Sequence, residues 1–267
     1  MSDLALRFEA DGFVFPIRVV PEDEIAALCQ RFESELLPLW QDPTQETDYT
    51  FQTHMLFPWL DRLVRRDAIV EAVSQILGPD LLLWNSGFIV KPAKDPYYAS
   101  WHQDLTYWGL EPPAVATAWL AFTDSLAENG CVRCVPGSHK AGILPVEETR
   151  AQHNMLSRGQ AIDLGAAEAT AVDMELRPGE MSIHHGFTVH GSNGNTSDRA
   201  RIGMTMTFVR PDVRSRKGVD MATLVAGEDR HGHFRLAPPP AADLDEAAIA
   251  VHAEAARRRK AVIHAAN

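Results

Sequence analysis

Arg201-Ile202-Gly203-Met204-Thr205-Met206-Thr207-Phe208 is a short apolar stretch opened by a single charged residue. Two similar runs precede it, Leu81–Lys91 and Ala114–Phe122. All three are rich in β-forming residues. Turn residues punctuate the chain between and around them: Gly130, Pro136-Gly137, Pro178-Gly179 and Gly191 to Asn195. Upstream the period is helical. Ile25, Leu28, Cys29, Phe32 and Leu36 share one face of a helix predicted from Glu22 to about Leu39, entered behind Pro21. A second predicted helix starts at Asp67 as a cap, carries Ile69, Val70, Val73, Ile76 and Leu77, and stops at Gly78-Pro79. Short strands after N-terminal helices predict a mainly β fold with flanking helices, an antiparallel sandwich or barrel.

Beyond these strands, Pro238-Pro239-Pro240 precedes a last predicted helix over Asp243–Ile263. It is acidic at its start and basic near its end, in line with the helix dipole. Its expected place is outside the barrel, with a solvated face. Glu147 to Val172 is irregular and polar, the character of a long loop of the kind that serves as a lid.

The chain has 267 residues, enough for a sizeable core, and no repeat or low-complexity linker divides it. Its formal net charge of -11 makes nucleic acid a poor partner. No apolar run reaches the ~18–20 residues of a membrane helix. The start, with no basic region before a long apolar core, is unlike a signal peptide. A cytoplasmic protein with neither membrane nor nucleic-acid partner is expected. Cys131-Val-Arg-Cys134 matches CxxC but lacks a second pair for zinc, and Pro136-Gly137 follows instead of a helix. The two thiols are expected to be buried strand residues.

The chemistry-bearing residues begin at Trp101-His102-Gln103-Asp104. In a strand, positions 102 and 104 would project from one face and could reach one cation. Far downstream, Val189-His190-Gly191-Ser192 enters a turn. Two histidines and one carboxylate on one face of an octahedron make the facial triad of non-haem iron(II) oxygenases, which leaves positions open for a 2-oxoacid and dioxygen. The far carboxylate of 2-oxoglutarate needs a fixed cation, and arginine offers a two-pronged one. Arg199 and Arg201 are the candidates. Arg201 is preferred because it opens an apolar strand, whereas Arg199 lies in a polar turn.

These residues sit in a wider pattern. His102-Gln103-Asp104-Leu105, Tyr107-Trp108, Trp119, Glu128-Asn129-Gly130, Pro136-Gly137-Ser138-His139, His190-Gly191-Ser192, Asn195 and Arg201 together resemble the phytanoyl-CoA dioxygenase family. Asp11-Gly12-Phe13 extends the resemblance toward the start, so that it spans roughly Phe8 to Arg210. It implies a double-stranded β-helix, a cupin-like jelly roll, in a single oxygenase domain over residues 1–267. Helices would occupy 1–80, the jelly-roll core about 81–212, and a loop and helix 213–267. It implies iron(II) held by His102, Asp104 and His190, with 2-oxoglutarate and O2 as co-substrates. Arg201 would bind the far carboxylate, and Trp119 and Ser192 would line the co-substrate pocket. Lys91, at the end of its strand, is a further candidate for that pocket. The reaction expected is hydroxylation of a small-molecule substrate, with 2-oxoglutarate converted to succinate and CO2.

Three alternatives accompany this reading. Halogenases resembling the family replace the carboxylate with a small residue, so Asp104 disfavours chlorination. Desaturation or ring closure would use the same residues. A non-catalytic barrel binding a metal or small molecule is disfavoured by the full set of ligands with an arginine. His184 and His185 would point to opposite faces of a strand, and a polar contact near the pocket is expected of them before ligation. His139 is expected to hydrogen-bond backbone, and His231 and His233 to lie in a surface loop. Trp84, Asn85, Tyr97, Tyr98, Tyr107 and Trp108 are candidates for the substrate side, with burial an equal explanation for Trp84.

Overall fold

The structure is a computed structural model that describes residues 2–149, 151–156 and 158–264, with side chains described through Arg259. Eleven strands carry the architecture: β1 (Phe13–Arg18), β2 (Leu81–Lys91), β3 (Ala99–His102), β4 (Val115–Ala121), β5 (Arg133–Cys134), β6 (Val172–Asp173), β7 (Glu180–His185), β8 (His190–Ser192), β9 (Arg201–Val209), β10 (Met221–Ala226) and β11 (Arg235–Leu236). A seven-stranded sheet runs in the order β1-β7-β4-β9-β2-β10-β11, and a four-stranded sheet in the order β3-β8-β5-β6. This is a mainly β, jelly-roll arrangement. The large sheet is wider than the span 81–212 expected to hold the core, because β1 pairs with β7 at one edge and β10 pairs with β2 near the other.

Strand β9 shows why the two faces of the large sheet differ. Ile202, Met204, Met206 and Phe208 belong to the main apolar core, together with Ile25, Phe32, Leu36, Leu60, Ile69 and Val73 from the N-terminal helices. The alternate residues Arg201, Thr205 and Thr207 line a cavity on the opposite face. Side chains alternate along a strand, so one sequence serves both surfaces. Burial of each large apolar side chain contributes roughly 1.5–3 kcal/mol.

The helices are α1 (Asp3–Asp11), α2 (Glu22–Arg31), α3 (Leu37–Gln41), α4 (Pro58–Val64), α5 (Asp67–Leu77), α6 (Leu105–Trp108) and α7 (Glu246–His264). The helix predicted from Glu22 to Leu39 is interrupted by a π turn at Phe32–Leu36 and resumes to Gln41. Pro38 lacks a donor and its ring crowds the carbonyls of the preceding turn, so that turn widens before α geometry resumes with Pro38 in the first turn of α3. Asp67 is the first helical residue of α5, with Arg66 at the cap, and its carboxylate there still suits the dipole. The predicted stop at Gly78 is observed.

The last helix departs most from expectation. Ala248, His252, Ala255 and Arg259 form a buried stripe along α7. Arg259 inserts its guanidinium 3.4 Å over the Trp84 ring and donates to Trp84 O at 3.0 Å. His252 Nε2 donates to Phe51 O at 2.7 Å. The helix is therefore anchored through a buried cation that its periodicity does not announce. Among the described residues no helix is long and apolar enough to cross a membrane.

Candidate metal centre and co-substrate pocket

His102 is the last residue of β3, and the chain turns immediately after it. Asp104 stands at the cap of α6 with helical backbone angles. The expectation that 102 and 104 share the face of one strand is thus corrected: a turn brings them together. Gln103 fixes that turn. Its Nε2 donates to Gly142 O and Phe187 O at 2.7 and 2.6 Å, and its Oε1 accepts from Leu144 N at 2.8 Å. His190 begins β8 and pairs directly with His102 across the small sheet.

The ligand atoms of His102, Asp104 and His190 all lie within 4.8 Å of one another. Asp104 Oδ1 is 3.9 Å from His102 Nε2 and 3.8 Å from His190 Nε2. Adjacent donors of an octahedral ion sit roughly 3 Å apart, so a small inward movement closes the set on a cation. Each imidazole is oriented for that. His102 Nδ1 donates to Ser100 O at 2.8 Å, and His190 Nδ1 donates to Thr188 O at 3.0 Å. A carbonyl only accepts, so the hydrogen is on Nδ1 and the lone pair of Nε2 faces the centre.

The carboxylate is oriented as firmly. Asp104 Oδ2 accepts from Thr117 Oγ1 at 2.9 Å and from His184 Nε2 at 3.3 Å. That leaves Oδ1 toward the two imidazoles. Burial raises the Asp104 carboxyl, but His190, His184 and His102 outweigh it and hold it below the usual carboxylate range. Burial lowers His102 against the opposing pull of Asp104. Burial, then His102 and His184, holds His190 well below the ordinary imidazole value. Neutral imidazoles and an ionised carboxylate are the states a metal requires. These three residues fit a divalent iron, with one side free.

The free side opens into a cavity of about 350 Å³. Arg201 lies at its wall, 1% exposed, with its guanidinium carbon 5.1 Å from the centre of the Trp119 ring. Its Nη1 donates to Gly130 O, while its Nε has no partner. Gly203 lets Trp119 lie flat, since a Cβ there would overlap the indole. Lys91 pairs with Arg201 across the sheet and is fully buried. Its ammonium donates to Ser192 Oγ at 2.8 Å and to Asn193 O. Burial, then the nearby Arg201, lowers Lys91 to about 7. Ser192 and Trp119 line the cavity. Arg199 is elsewhere, exposed and 3.5 Å from both Asp124 and Glu128.

Trp108 and Asn85 also line the cavity. Tyr107 faces outward, 3.2 Å from Glu148 and beneath the Arg158 guanidinium. Tyr97 is 48% exposed, and Tyr98 pairs with Asn154 of the long loop. That loop, from Glu147, contributes Met155 and Leu156 to the cavity. His185 points away from the centre, with His139 and Phe187 as ring neighbours. His139 donates to Glu9 O of α1, outside its own turn. Cys131 and Cys134 are buried and unbridged, and burial raises both thiols. The sequence reading missed Thr117, Thr205, Thr207, Ile89 and Val132 in the cavity wall. The signal for the two threonines of β9 was their even spacing from Arg201, four and six residues along one strand.

A buried two-histidine, one-carboxylate set facing a cationic pocket inside a jelly roll defines a 2-oxoglutarate-dependent non-haem iron dioxygenase. The family model described as phytanoyl-CoA dioxygenase (PhyH) matches residues 8–203, and the chain belongs to that family. An ectoine dioxygenase of Bordetella parapertussis is 28% identical over 233 residues, covering 78% of this chain and 74% of that protein. Among solved structures, apo ThoJ, a non-heme monooxygenase, is 34% identical with a TM-score of 0.87, covering 97% of both chains. CytC3 with Fe(II) and alpha-ketoglutarate is 25% identical with a TM-score of 0.67, covering 89% of this chain and 93% of that one. Iron(II), 2-oxoglutarate and dioxygen are accordingly the cofactor and co-substrates of this enzyme.

Proposed function

We propose that the enzyme hydroxylates a small organic molecule and couples this to conversion of 2-oxoglutarate into succinate and CO2. His102, Asp104 and His190 hold the iron in this reading. The observation that carries it is the orientation of three donors toward one point, each by its own backbone or side-chain partner. Iron, when bound, supplies the oxygen activation that no side chain can provide.

The rest is positioning. Arg201 receives the far carboxylate of 2-oxoglutarate, and its unpartnered Nε and cavity position support that role. Trp119 beneath it holds the guanidinium in plane. Lys91, buried behind Ser192, fixes that side chain at the same end of the cavity. Thr117 and His184 keep the second carboxylate oxygen of Asp104 occupied, so only Oδ1 is offered. Burial of the whole set excludes bulk water from the reacting carbon.

The experiment is anaerobic reconstitution with iron(II) and 2-oxoglutarate, followed by admission of oxygen. A metal-to-ligand charge-transfer band before oxygen, and succinate release after it, are expected. Absence of both sinks the proposal. The mass of the product separates hydroxylation, which adds an oxygen atom, from ring closure or desaturation, which removes two hydrogens.

A further inference from the structure

The cavity has two chemically different ends. Arg201 and Trp119 lie at one, with Ser192 near the metal. The other end is read from the register of the large sheet. Asn85 pairs with Thr207, Thr207 with Thr117, and Thr117 with His184, so these four form one row across β2, β9, β4 and β7. Thr117 holds Asp104, which fixes the metal over that part of the row. Asn85 is two strands away, about 10 Å at the usual strand spacing. The space between them lies over Thr207, with Trp108 as a wall.

Among the described residues, the ionisable side chains lining the cavity are the three proposed metal ligands, His184 and Arg201. Each is committed, His184 to Asp104 and Arg201 to the co-substrate. Among the described lining residues no formal charge is left at the Asn85 end to meet a charge on the substrate. Beside Asn85, the register places Thr207 next to it and Thr205 two residues along β9, with Trp108 as a further lining side chain. Taking an ion out of water without a counter-charge costs several kcal/mol. Asn85 Oδ1, in contrast, is buried and has no hydrogen-bond partner. A buried acceptor in that condition favours a ligand that brings a donor.

We propose that the primary substrate presents an uncharged group to this cavity, one that donates a hydrogen bond to Asn85 Oδ1, while a neighbouring carbon lies over Thr207 toward the metal. An amide or hydroxyl group on a small aliphatic frame has that chemistry. The 2-oxoglutarate takes part of the cavity of about 350 Å³, so a small molecule, or one end of a longer one, enters. This inference rests on the oxygenase reading above and deepens it.

Three probes of one shape and different charge test it: isobutyramide, isobutyrate and isobutylammonium. Each is titrated anaerobically into the wild-type enzyme carrying saturating iron(II) and 2-oxoglutarate, and the charge-transfer band is followed. Isobutyramide should perturb the band with an apparent Kd at least about tenfold below those of the two ions. In Asn85→Leu the band should persist, and the preference for the amide should disappear. Equal or tighter binding of either ion overturns the proposal. So does a band that does not respond to isobutyramide, or an amide preference that survives in Asn85→Leu. Failure of the band to form in the wild-type enzyme is a different result, and it overturns the oxygenase reading itself.

Discussion

Thr117 Oγ1 lies 2.9 Å from Asp104 Oδ2 and donates to it, so a threonine on the large sheet orients a carboxylate carried by the turn after the small one. The two sheets of the jelly roll meet at this bond. Groups that orient a metal ligand typically change metal affinity by 10–100-fold. Thr117→Val keeps the shape and removes the donor. Iron(II) affinity is expected to fall by about tenfold or more, while thermal stability without metal changes little. An iron titration followed by the charge-transfer band checks this, and an unchanged midpoint refutes it.

Arg201 and Arg199 are two residues apart and stand in different surroundings. Arg201 is buried over Trp119, whereas Arg199 is exposed beside Asp124. Arg201→Lys keeps the charge and loses the two-pronged geometry. The KM for 2-oxoglutarate should rise about 10- to 100-fold, from the loss of 1.5–3 kcal/mol of charged hydrogen bonding. Arg199→Ala should leave it within about twofold, since exposed ion pairs contribute little. Succinate formation at varied 2-oxoglutarate concentration reads both values, and equal effects of the two substitutions contradict the assignment.

Stability should depend on pH through histidines buried away from the metal. His54 lies between Ser86 Oγ at 2.7 Å and Thr223 Oγ1 at 2.9 Å. Burial, then Arg65 and His252, lowers it to about 3. Burial, then His139 and His184, lowers His185 to about 4. A folded-state pKa below that of the unfolded chain means the unfolded chain binds the proton first. The stability from these groups is complete above pH ~6.5 and is lost as pH falls from there toward their folded values. His54 alone should account for about 2 kcal/mol lost by pH 5. Asp104, lowered from the usual carboxylate range, acts only at lower pH. Melting temperatures in chelator between pH 8 and 5 test the slope. His54→Gln should flatten it, and a wild-type Tm constant over that range contradicts the argument.

The strand runs, the two N-terminal helices and the candidate metal ligands were legible because each depends on short-range pattern. An apolar run bounded by Gly and Pro names β2, β4 and β9 without any knowledge of their partners. The histidines were legible only as a set. Edge strand β1 was missed because Phe13–Arg18 contains Pro16 and is exposed in part, so its pattern is diluted. Thr117 gave no local signal, since its role comes from the register that sets it beside Thr207 of β9. The convergence of 102 and 104 was expected for the wrong reason. Strand alternation predicted it, whereas the Gln103 side chain fixes the turn that produces it.

Arg259 is the feature furthest from what periodicity could announce, and it carries the last prediction. A late arginine in a basic helix end reads as solvated. Here its side chain is 8% exposed, stacked on Trp84 and 3.7 Å from Asp220 Oδ2, which also accepts from Trp84 Nε1 at 2.9 Å. Burial lowers the guanidinium to about 10, against the pull of Asp220, so it stays charged at neutral pH. Arg259→Met fills similar space and removes the charge, leaving Asp220 buried with the Trp84 indole N–H and the Met221 N–H as its partners. Breaking a buried pair from one side costs about 3–5 kcal/mol. The separation of 3.7 Å places this site at the lower end. The double substitution Arg259→Met with Asp220→Asn removes the stranded charge, and should recover more than half of the loss. Chemical denaturation of the four proteins measures the cycle. Additive effects of the two substitutions would mean that α7 is held by its apolar stripe and that the buried cation is incidental.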